Sequence, residues 1–214
     1  SSTWVDNDAW YALSLKLQSQ FSRHFATAEH QVLFGQLKAL IRDDIHMCVA
    51  HQIARKSTCS RKKVGALLTR PDGSFVSSGH NGVPQKKLEC HQYFGQLYDS
   101  SNELKSQFLT YEDFIRSDVF KTLHGKFSEQ NEIHAEANVL LRSTPGEMNG
   151  SYLYMTLSPC MPCAKLIVAA KLDRVYFSEK YDRDVSGIDY LKNNGVRVIE
   201  MTKKIGVMPN NSRD

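Results

Sequence analysis

Two short motifs in the chain contain residue types that bind metals and move protons. The first is His134-Ala135-Glu136, and the second is Pro159-Cys160-Met161-Pro162-Cys163. In the first turn of a helix, the sulfurs of Cys160 and Cys163 lie on the same side because the two residues are three positions apart. One imidazole and two thiolates supply three zinc ligands and leave a fourth tetrahedral position open, which is typical of a catalytic site. We therefore predict His134, Cys160 and Cys163 as ligands of a catalytic zinc ion.

Glu136 lies two positions after His134, close to the expected metal but not needed as a ligand. A carboxylate there can take a proton from an activated water molecule and pass it to a substrate. A Cys-x-x-Cys pair alone is equally typical of half a structural zinc site or of a redox pair. The two motifs together, with 24 positions from Glu136 to Cys160, form the signature of zinc-dependent nucleobase deaminases. We predict Glu136 as the catalytic acid and base.

The composition limits the class of protein in which this chemistry takes place. The chain has 214 residues, of which 41% are apolar, and a formal net charge of +4. This length is typical of one compact domain with an appended segment, and so mild a charge does not favour a protein that coats nucleic acid. No run approaches the roughly 18 apolar residues of a membrane helix, and the N-terminus lacks a secretory signal pattern. Five scattered cysteines indicate reduced thiols, so we expect a cytoplasmic protein without a membrane partner.

Apolar periodicity predicts the elements that precede the two motifs. Residues 1–44 are expected to form a helical extension, which starts with an N-cap at residues 6–8 and continues with Trp10, Leu13, Leu17 and Phe21 at helical spacing. A second run places Phe34, Leu37, Ile41, Ile45 and Cys48 on one helix face, which predicts a buried Cys48. Short apolar runs on either side of Pro71-Asp72-Gly73 predict a β-hairpin.

The remaining segments predict an α/β domain over residues 45–202, followed by a tail at 203–214. Residues 86–131 are polar, with few apolar anchors, and are expected to be a loop-rich insertion with one helix over 111–123. Three helices then alternate with three strands from His134 to Glu200, which is typical of parallel strands with crossover helices. We predict a three-layer α/β/α fold with an initial hairpin and then parallel strands.

The chain resembles the deoxycytidylate (dCMP) deaminases of the zinc-dependent cytidine/deoxycytidylate deaminase family, particularly those of large tailed phages. The resemblance covers about residues 45–199. It is carried by five segments: Ser57-Thr58-Cys59-Ser60-Arg61, Val64-Gly65-Ala66, Gly79-His80-Asn81-Gly82-Val83-Pro84, Asn131-Glu132-Ile133-His134-Ala135-Glu136 and Thr156-Leu157-Ser158-Pro159-Cys160. It implies a cytidine-deaminase-like fold with a mixed five-stranded sheet, and hydrolysis of dCMP to dUMP and ammonia to feed thymidylate synthesis. It also implies a homohexamer, located in the host cytoplasm if the source is viral.

The resemblance also implies which residues hold the nucleotide. Asn81 would hold the deoxyribose and the pyrimidine, and the Ser158 carbonyl would accept a hydrogen bond from the exocyclic amine. Arg61, with Lys63 nearby, is the candidate for the 5′-phosphate, because a guanidinium pairs with two phosphate oxygens at once. An ordinary solvated charge cluster remains the alternative for these basic residues. Tyr181 could stack on the base or be a plain surface residue.

The regulatory site of the family depends on a loop that this chain alters. The matching residues are Gly79, His80, Asn81 and Gly82, and the family usually has a tyrosine where His80 stands. The resemblance implies activation by dCTP and inhibition by dTTP, with Mg²⁺ accompanying the regulatory nucleotide. The substitution at His80 weakens the expectation of this regulation.

A second, structural zinc is implied by the phage enzymes. The matching ligands are Cys59, Cys90, His124 and Glu132, with His91 as an alternative fourth ligand. Their spacing follows no zinc-finger pattern. A metal there would tie the polar insertion to Cys59 and offset much of its ordering entropy.

Two other functions remain open from the residues alone. A deaminase acting on RNA or DNA would need a basic, aromatic-lined surface, and a net charge of +4 gives little sign of one, so we expect no stable nucleic-acid partner. A non-catalytic zinc-stabilised nucleotide-binding module would have no need of Glu136. Within the nucleotide deaminases, dCTP or a 5-substituted dCMP is an alternative substrate.

Overall fold

The computed structural model describes residues 28–181 and 185–201, so the helix predicted around Trp10–Phe21 and the tail at 203–214 lie outside the described residues. The helices are α1 Ala28–Ala54, α2 Cys90–Ser100, α3 Asn102–Gln107, α4 Tyr111–Arg116, α5 Asp118–Asn131, α6 Ala135–Leu140, α7 Pro145–Met148, α8 Met161–Ala169 and α9 Ser186–Asn193. The strands are β1 Gly65–Thr69, β2 Phe75–His80, β3 Tyr152–Leu157, β4 Arg174–Glu179 and β5 Arg197–Glu200. The chain divides into two compact units, Ser1–Asp44 and Ile45–Asp214.

The second unit is built on one mixed five-stranded sheet with the order β2-β1-β3-β4-β5. β1 runs antiparallel to β2 and to β3, whereas β3, β4 and β5 are parallel to one another. The hairpin turns at Gly73, which has a φ of 93°, while the Asp72 carboxylate accepts a hydrogen bond from the Ser74 amide at 2.8 Å. The crossover helices α8 and α9 connect the parallel strands, which confirms the predicted fold class.

Both faces of the central strands β1, β3 and β4 are buried. Successive strand residues point to opposite sides, so these strands contribute to two separate cores. One face carries Leu67, Tyr154 and Tyr176, which pack with Met47 and Ala50 of α1. The other face carries a second set of strand residues that pack with α6, α8 and α9: Ala66, Leu68, Leu153, Met155 and Val175. In the described part of the chain, no helix combines the length and apolar character that crossing a membrane requires.

The predicted burial of Cys48 is wrong. The residue is helical, as expected, but its side chain is exposed, as are those of Ile41 and Ile45 on the same stripe. Within the second unit, α1 instead buries His46, Met47, Ala50 and Ala54. Apolar spacing misidentified the buried face because a face that includes His46, Met47 and Ala50, rather than the one with Ile41 and Ile45, contacts the sheet.

The insertion at 86–131 is far more ordered than a loop-rich segment. It contains α2 to α5. The predicted helix over 111–123 is interrupted at Ser117, whose hydroxyl accepts a hydrogen bond from the Phe120 amide and caps the start of α5. Ser101 and Thr110 cap α3 and α4 in the same way. The insertion has its own aromatic core, in which four phenylalanines are buried: Phe94, Phe114, Phe120 and Phe127. The expectation of few apolar anchors is therefore wrong. The sequence did not reveal this core because its rings are spread over several short helices.

Candidate active site

A cavity of about 630 Å³ opens where β3 and β4 end and where α6 and α8 begin. His134 is the N-cap residue of α6, and Cys160 is the N-cap residue of α8. Neither side chain caps its own helix, so both are free to face the cavity. Pro162 is tolerated in the first turn of α8, where amide hydrogens have no intrahelical partner. The two predicted motifs therefore meet at one edge of the sheet.

Two glycines allow the surrounding elements to approach this edge closely. A Cβ at Gly187 of α9 would collide with the Pro159 carbonyl, next to Cys160. A Cβ at Gly79 of β2 would lie 2.8 Å from the Ala135 carbonyl, directly after His134. A side chain at either position would displace the start of a helix, so both glycines position a predicted metal ligand.

His134, Cys160 and Cys163 form a compact cluster. The His134 Nδ1 atom lies 3.5 Å from Cys160 Sγ and 3.4 Å from Cys163 Sγ. With the usual bond lengths, ligand atoms around a tetrahedral zinc are about 3.5–3.8 Å apart. The three side chains therefore fit a zinc ion, as the sequence predicts. No fourth His, Cys, Asp or Glu joins this cluster among residues 28–181 and 185–201, which leaves one position open.

The protonation of this cluster also suits a cation. A hydrogen bond from Cys163 lowers the pKa of the Cys160 thiol to about 4, and the same bond raises the pKa of Cys163. The hydrogen bond with Cys160 raises the pKa of His134 to about 9. Protein without metal thus holds a thiolate beside an imidazolium, and a zinc ion would replace the protons on His134 and Cys163.

Glu136 lies on the same cavity and is almost fully buried, with 4% of its surface exposed. Burial raises the pKa of its carboxyl group to about 7, because the charged form loses its hydration. A carboxyl group that titrates near neutral pH can both accept and donate a proton during one reaction cycle. It lies on the cavity beside the open ligand set, where the sequence predicts a residue that transfers protons.

A second cluster joins Cys59, Cys90, His124 and Glu132, whose ligand atoms all lie within 4.8 Å of one another. Cys59 Sγ is 3.1 Å from His124 Nε2, and the Ser60 amide donates to Cys90 Sγ at 3.4 Å. One carboxylate oxygen of Glu132 accepts from the Ser128 hydroxyl at 2.8 Å. The other carboxylate oxygen and His124 Nδ1 are buried without a hydrogen-bond partner in the described part of the chain.

These four side chains fit a closed metal site. A buried carboxylate oxygen without a partner costs free energy, which a bound cation would remove. A hydrogen bond from Cys59 lowers the pKa of Cys90 to about 7 and raises that of Cys59, so one thiolate is already favoured. His91, the alternative ligand, instead points to Glu89, with 3.5 Å between Nδ1 and Oε2, and is not part of the cluster.

The predicted nucleotide contacts are brought together with one exception. Arg61, Asn81, Ser158 and Tyr181 all line the cavity. Lys63 is exposed and does not line it, whereas the neighbouring Lys62 does. Sequence reasoning missed Lys62 because the segment is irregular, so no periodicity shows which lysine faces inward.

Asn81 and Ser158 also hold the backbone around the cavity. The Asn81 side chain accepts from the Val64 amide at 2.8 Å and donates to the Lys62 carbonyl at 2.9 Å. The Ser158 hydroxyl accepts from the Tyr181 amide at 2.8 Å. In the predicted regulatory loop, the His80 carbonyl accepts from Asn138 at 2.9 Å, which ties β2 to α6.

Residues 41–179 match the family model of the cytidine and deoxycytidylate deaminase zinc-binding region. The chain belongs to this family. It is 30% identical over 170 residues to the deoxycytidylate deaminase of Enterobacteria phage T4, and this alignment covers 73% of this chain and 88% of that relative. It is 31% identical over 140 residues to a probable deoxycytidylate deaminase of Drosophila melanogaster, covering 65% of this chain and 60% of the relative.

A solved structure supports the same assignment. The dCMP deaminase of cyanophage S-TIM5, crystallised in complex with dCMP and dUMP, aligns with a TM-score of 0.51 and 29% identity. The alignment covers 74% of this chain and 95% of that protein. Both the predicted family and the predicted fold are thereby confirmed.

The lowered pKa of Cys160 predicts an unusual reactivity in metal-free protein. At pH 6 a thiol with a typical pKa of about 8.5 is only about 0.3% ionised, whereas Cys160, with a pKa of about 4, is almost entirely thiolate. Iodoacetamide should therefore alkylate Cys160 at a nearly constant rate from pH 8 down to about pH 5, as measured by peptide mass spectrometry. Added zinc should suppress the reaction, while exposed Cys48 controls for reagent activity. A rate at Cys160 that rises tenfold per pH unit between 6 and 8 would contradict this assignment.

Proposed function

We propose that this protein hydrolyses dCMP to dUMP and ammonia, and so supplies the precursor of thymidylate. The observation that carries the proposal is the buried Glu136 beside a three-ligand cluster with an open fourth position. The relatives named above, among them enzymes of two phages, are described as deoxycytidylate deaminases. The cavity at this cluster is large enough for one nucleotide and has a half-buried arginine on its wall.

His134, Cys160 and Cys163 would hold the catalytic zinc, which supplies a polarised water molecule when bound. Glu136 would accept a proton from this water while the water oxygen attacks C4 of the cytosine ring. The carboxyl group then donates that proton to N3, takes the remaining proton from the attacking oxygen, and passes it to the amine, which leaves as ammonia as the C4 carbonyl forms. Its burial keeps competing solvent away from the proton that it carries, and its pKa of about 7 suits both directions of transfer.

The other cavity residues would select and orient the nucleotide. We assign the base to the region of Asn81, the Ser158 carbonyl and Tyr181, and the 5′-phosphate to Arg61. The Arg61 side chain has no hydrogen bond or ion pair to any residue that the structure describes, although it is half-buried. A half-buried guanidinium without an anionic partner favours binding of an anion.

The proposal extends to assembly and regulation by family resemblance. It includes a homo-oligomer, hexameric as in the resembled family, that works in the cytoplasm. Regulation by dCTP and dTTP, with Mg²⁺ bound to the nucleotide, would require His80 to make the contacts that the tyrosine makes in the family. His80 Nδ1 is 3.1 Å from the Asn81 carbonyl oxygen, so its ring is already engaged by its own loop.

Replacing Glu136 should separate chemistry from metal binding. Glu136→Ala removes the proton carrier but none of the three predicted zinc ligands. The rate of dCMP turnover should therefore fall by about 10²–10⁴-fold while the catalytic zinc stays bound. Cys163→Ala should lose both. Ammonia release and zinc content are measured on the same samples. A Glu136→Ala protein that retains more than a few per cent of the activity would refute the assigned proton transfer.

Arg61→Ala tests the phosphate contact and the substrate class together. Loss of one charge-assisted contact is worth about 1.5–3 kcal/mol, so kcat/KM for dCMP should fall roughly tenfold to hundredfold, with little change for deoxycytidine. Arg55→Ala, at an exposed position outside the cavity lining, is the matched control. Equal losses on both substrates would make Arg61 structural. Faster deamination of a single-stranded oligonucleotide than of dCMP by the unmodified protein would replace the proposed function.

We further propose that Cys59, Cys90, His124 and Glu132 bind a structural zinc. Metal analysis of protein purified without chelator should give about two zinc ions per chain, and about one in Cys90→Ser. The same variant should unfold at a lower temperature, because the aromatic core of the insertion would lose its link to Cys59. Cys48→Ser, at an exposed thiol outside both clusters, should retain about two. A value near one in the unmodified protein would remove the second site.

A further inference from the structure

One ion pair stands at the edge of the cavity and takes part in neither metal cluster. Lys62 lines the cavity, and its Nζ atom lies 3.1 Å from Oε2 of Glu179. Glu179 ends β4, and its carbonyl accepts a hydrogen bond from the amide of Ser158, another cavity residue, at 2.8 Å. The Lys62 carbonyl is held by Asn81. The pair thus connects two segments whose backbones are fixed at the cavity wall.

The charges around this wall are unevenly balanced. Arg61 and Lys62 are neighbouring cations on the lining, but the carboxylate of Glu179 offsets the charge of Lys62. Glu129 adds an exposed carboxylate to the cavity lining itself. Within the described residues, Arg61 is therefore the cavity cation whose charge is left for an anionic ligand.

We propose that Glu179 is a specificity-determining residue that limits the nucleotide substrate to a monophosphate by neutralising Lys62. This inference depends on the proposed function, because it requires the 5′-phosphate of the nucleotide to lie at Arg61. One guanidinium pairs with two oxygens of a single phosphate. A second phosphate would meet a lysine that is already paired and a carboxylate that repels it.

Charge, rather than fold stability, is what the pair contributes. Both side chains are more than half exposed, at 57% for Lys62 and 56% for Glu179, so the pair adds little to the free energy of unfolding. Substitution of Glu179 should therefore leave a folded protein. It would release Lys62 toward the cavity, where each additional phosphate of a ligand would gain from it. This gain should decline with added salt, because the groups are exposed to solvent.

The experiment compares the binding of dCMP and dCDP by calorimetry at low ionic strength. Both proteins carry Glu136→Ala to prevent turnover, and one also carries Glu179→Gln. We expect Glu179→Gln to lower the Kd of dCDP by about three- to tenfold more than that of dCMP, and added salt to reduce the difference. The control is Glu200→Gln, which opens a similar exposed pair, Lys180–Glu200 at 2.8 Å, away from the cavity lining. That variant should leave the ratio of the two Kd values unchanged.

Two results would overturn the inference. One is an unchanged ratio of the two Kd values in Glu179→Gln, whether neither value moves or both shift equally. The other is the same change of this ratio in Glu200→Gln. Failure of the proposed function is visible separately, as absence of dUMP when the unmodified protein is incubated with dCMP. Formation of dUMP together with an unchanged ratio would refute the role of Glu179 alone.

Discussion

Three ligand atoms from two separate helices must lie about 3.5 Å apart to hold one metal ion, and much of this structure serves that constraint. His134 and Cys160 each occupy the residue before a helix, so small shifts of α6 or α8 would separate them. β3 ends shortly before α8 and fixes where that helix begins, whereas the backbone bridge between Gly82 and Ile133 fixes the segment that leads into α6. Close approach at Gly79 and Gly187 removes the space in which either helix start could move. The ligand geometry is therefore a property of the whole sheet.

The same constraint explains why the carboxyl group of Glu136 can be buried. Glu136 lies in the first turn of α6, so the backbone that carries His134 also delivers Glu136 to the cavity. Burial of a lone carboxyl group is costly, and the rise of its pKa to about 7 is the consequence. A group that is poorly solvated in its charged form is well suited to moving protons. Position and reactivity thus have one structural cause.

The second cluster extends this organisation to the insertion. Cys59 lies two positions before Arg61, and Glu132 lies two positions before His134. A metal that joins Cys59 and Glu132 would connect the segment assigned to the phosphate with the segment that carries the first metal ligand. Cys59, His124 and Glu132 also line the same cavity. The aromatic core of the insertion therefore borders the site directly.

The parts of the site that could be predicted from sequence are those defined by short local patterns. The alternation of helices and strands predicted the fold class, and the two motifs at helix starts, with their 24-position spacing, predicted the three-ligand cluster that the structure brings together. The core of the insertion could not be predicted, because its rings are distributed over helices that begin at single capping residues such as Ser117. The inward position of Lys62 and the exposure of Cys48 depend on packing between distant segments.

The origin of the oxygen in the product tests the central claim most directly. Zinc-loaded protein is incubated with dCMP in ¹⁸O-labelled water, and the nucleotide product and ammonia are quantified by mass spectrometry and an ammonia assay. Hydrolysis at C4 assisted by Glu136 predicts dUMP carrying one solvent oxygen on the ring and an equal amount of ammonia. Unchanged dCMP, or dUMP whose new oxygen does not come from the solvent, would contradict hydrolytic deamination in this cavity.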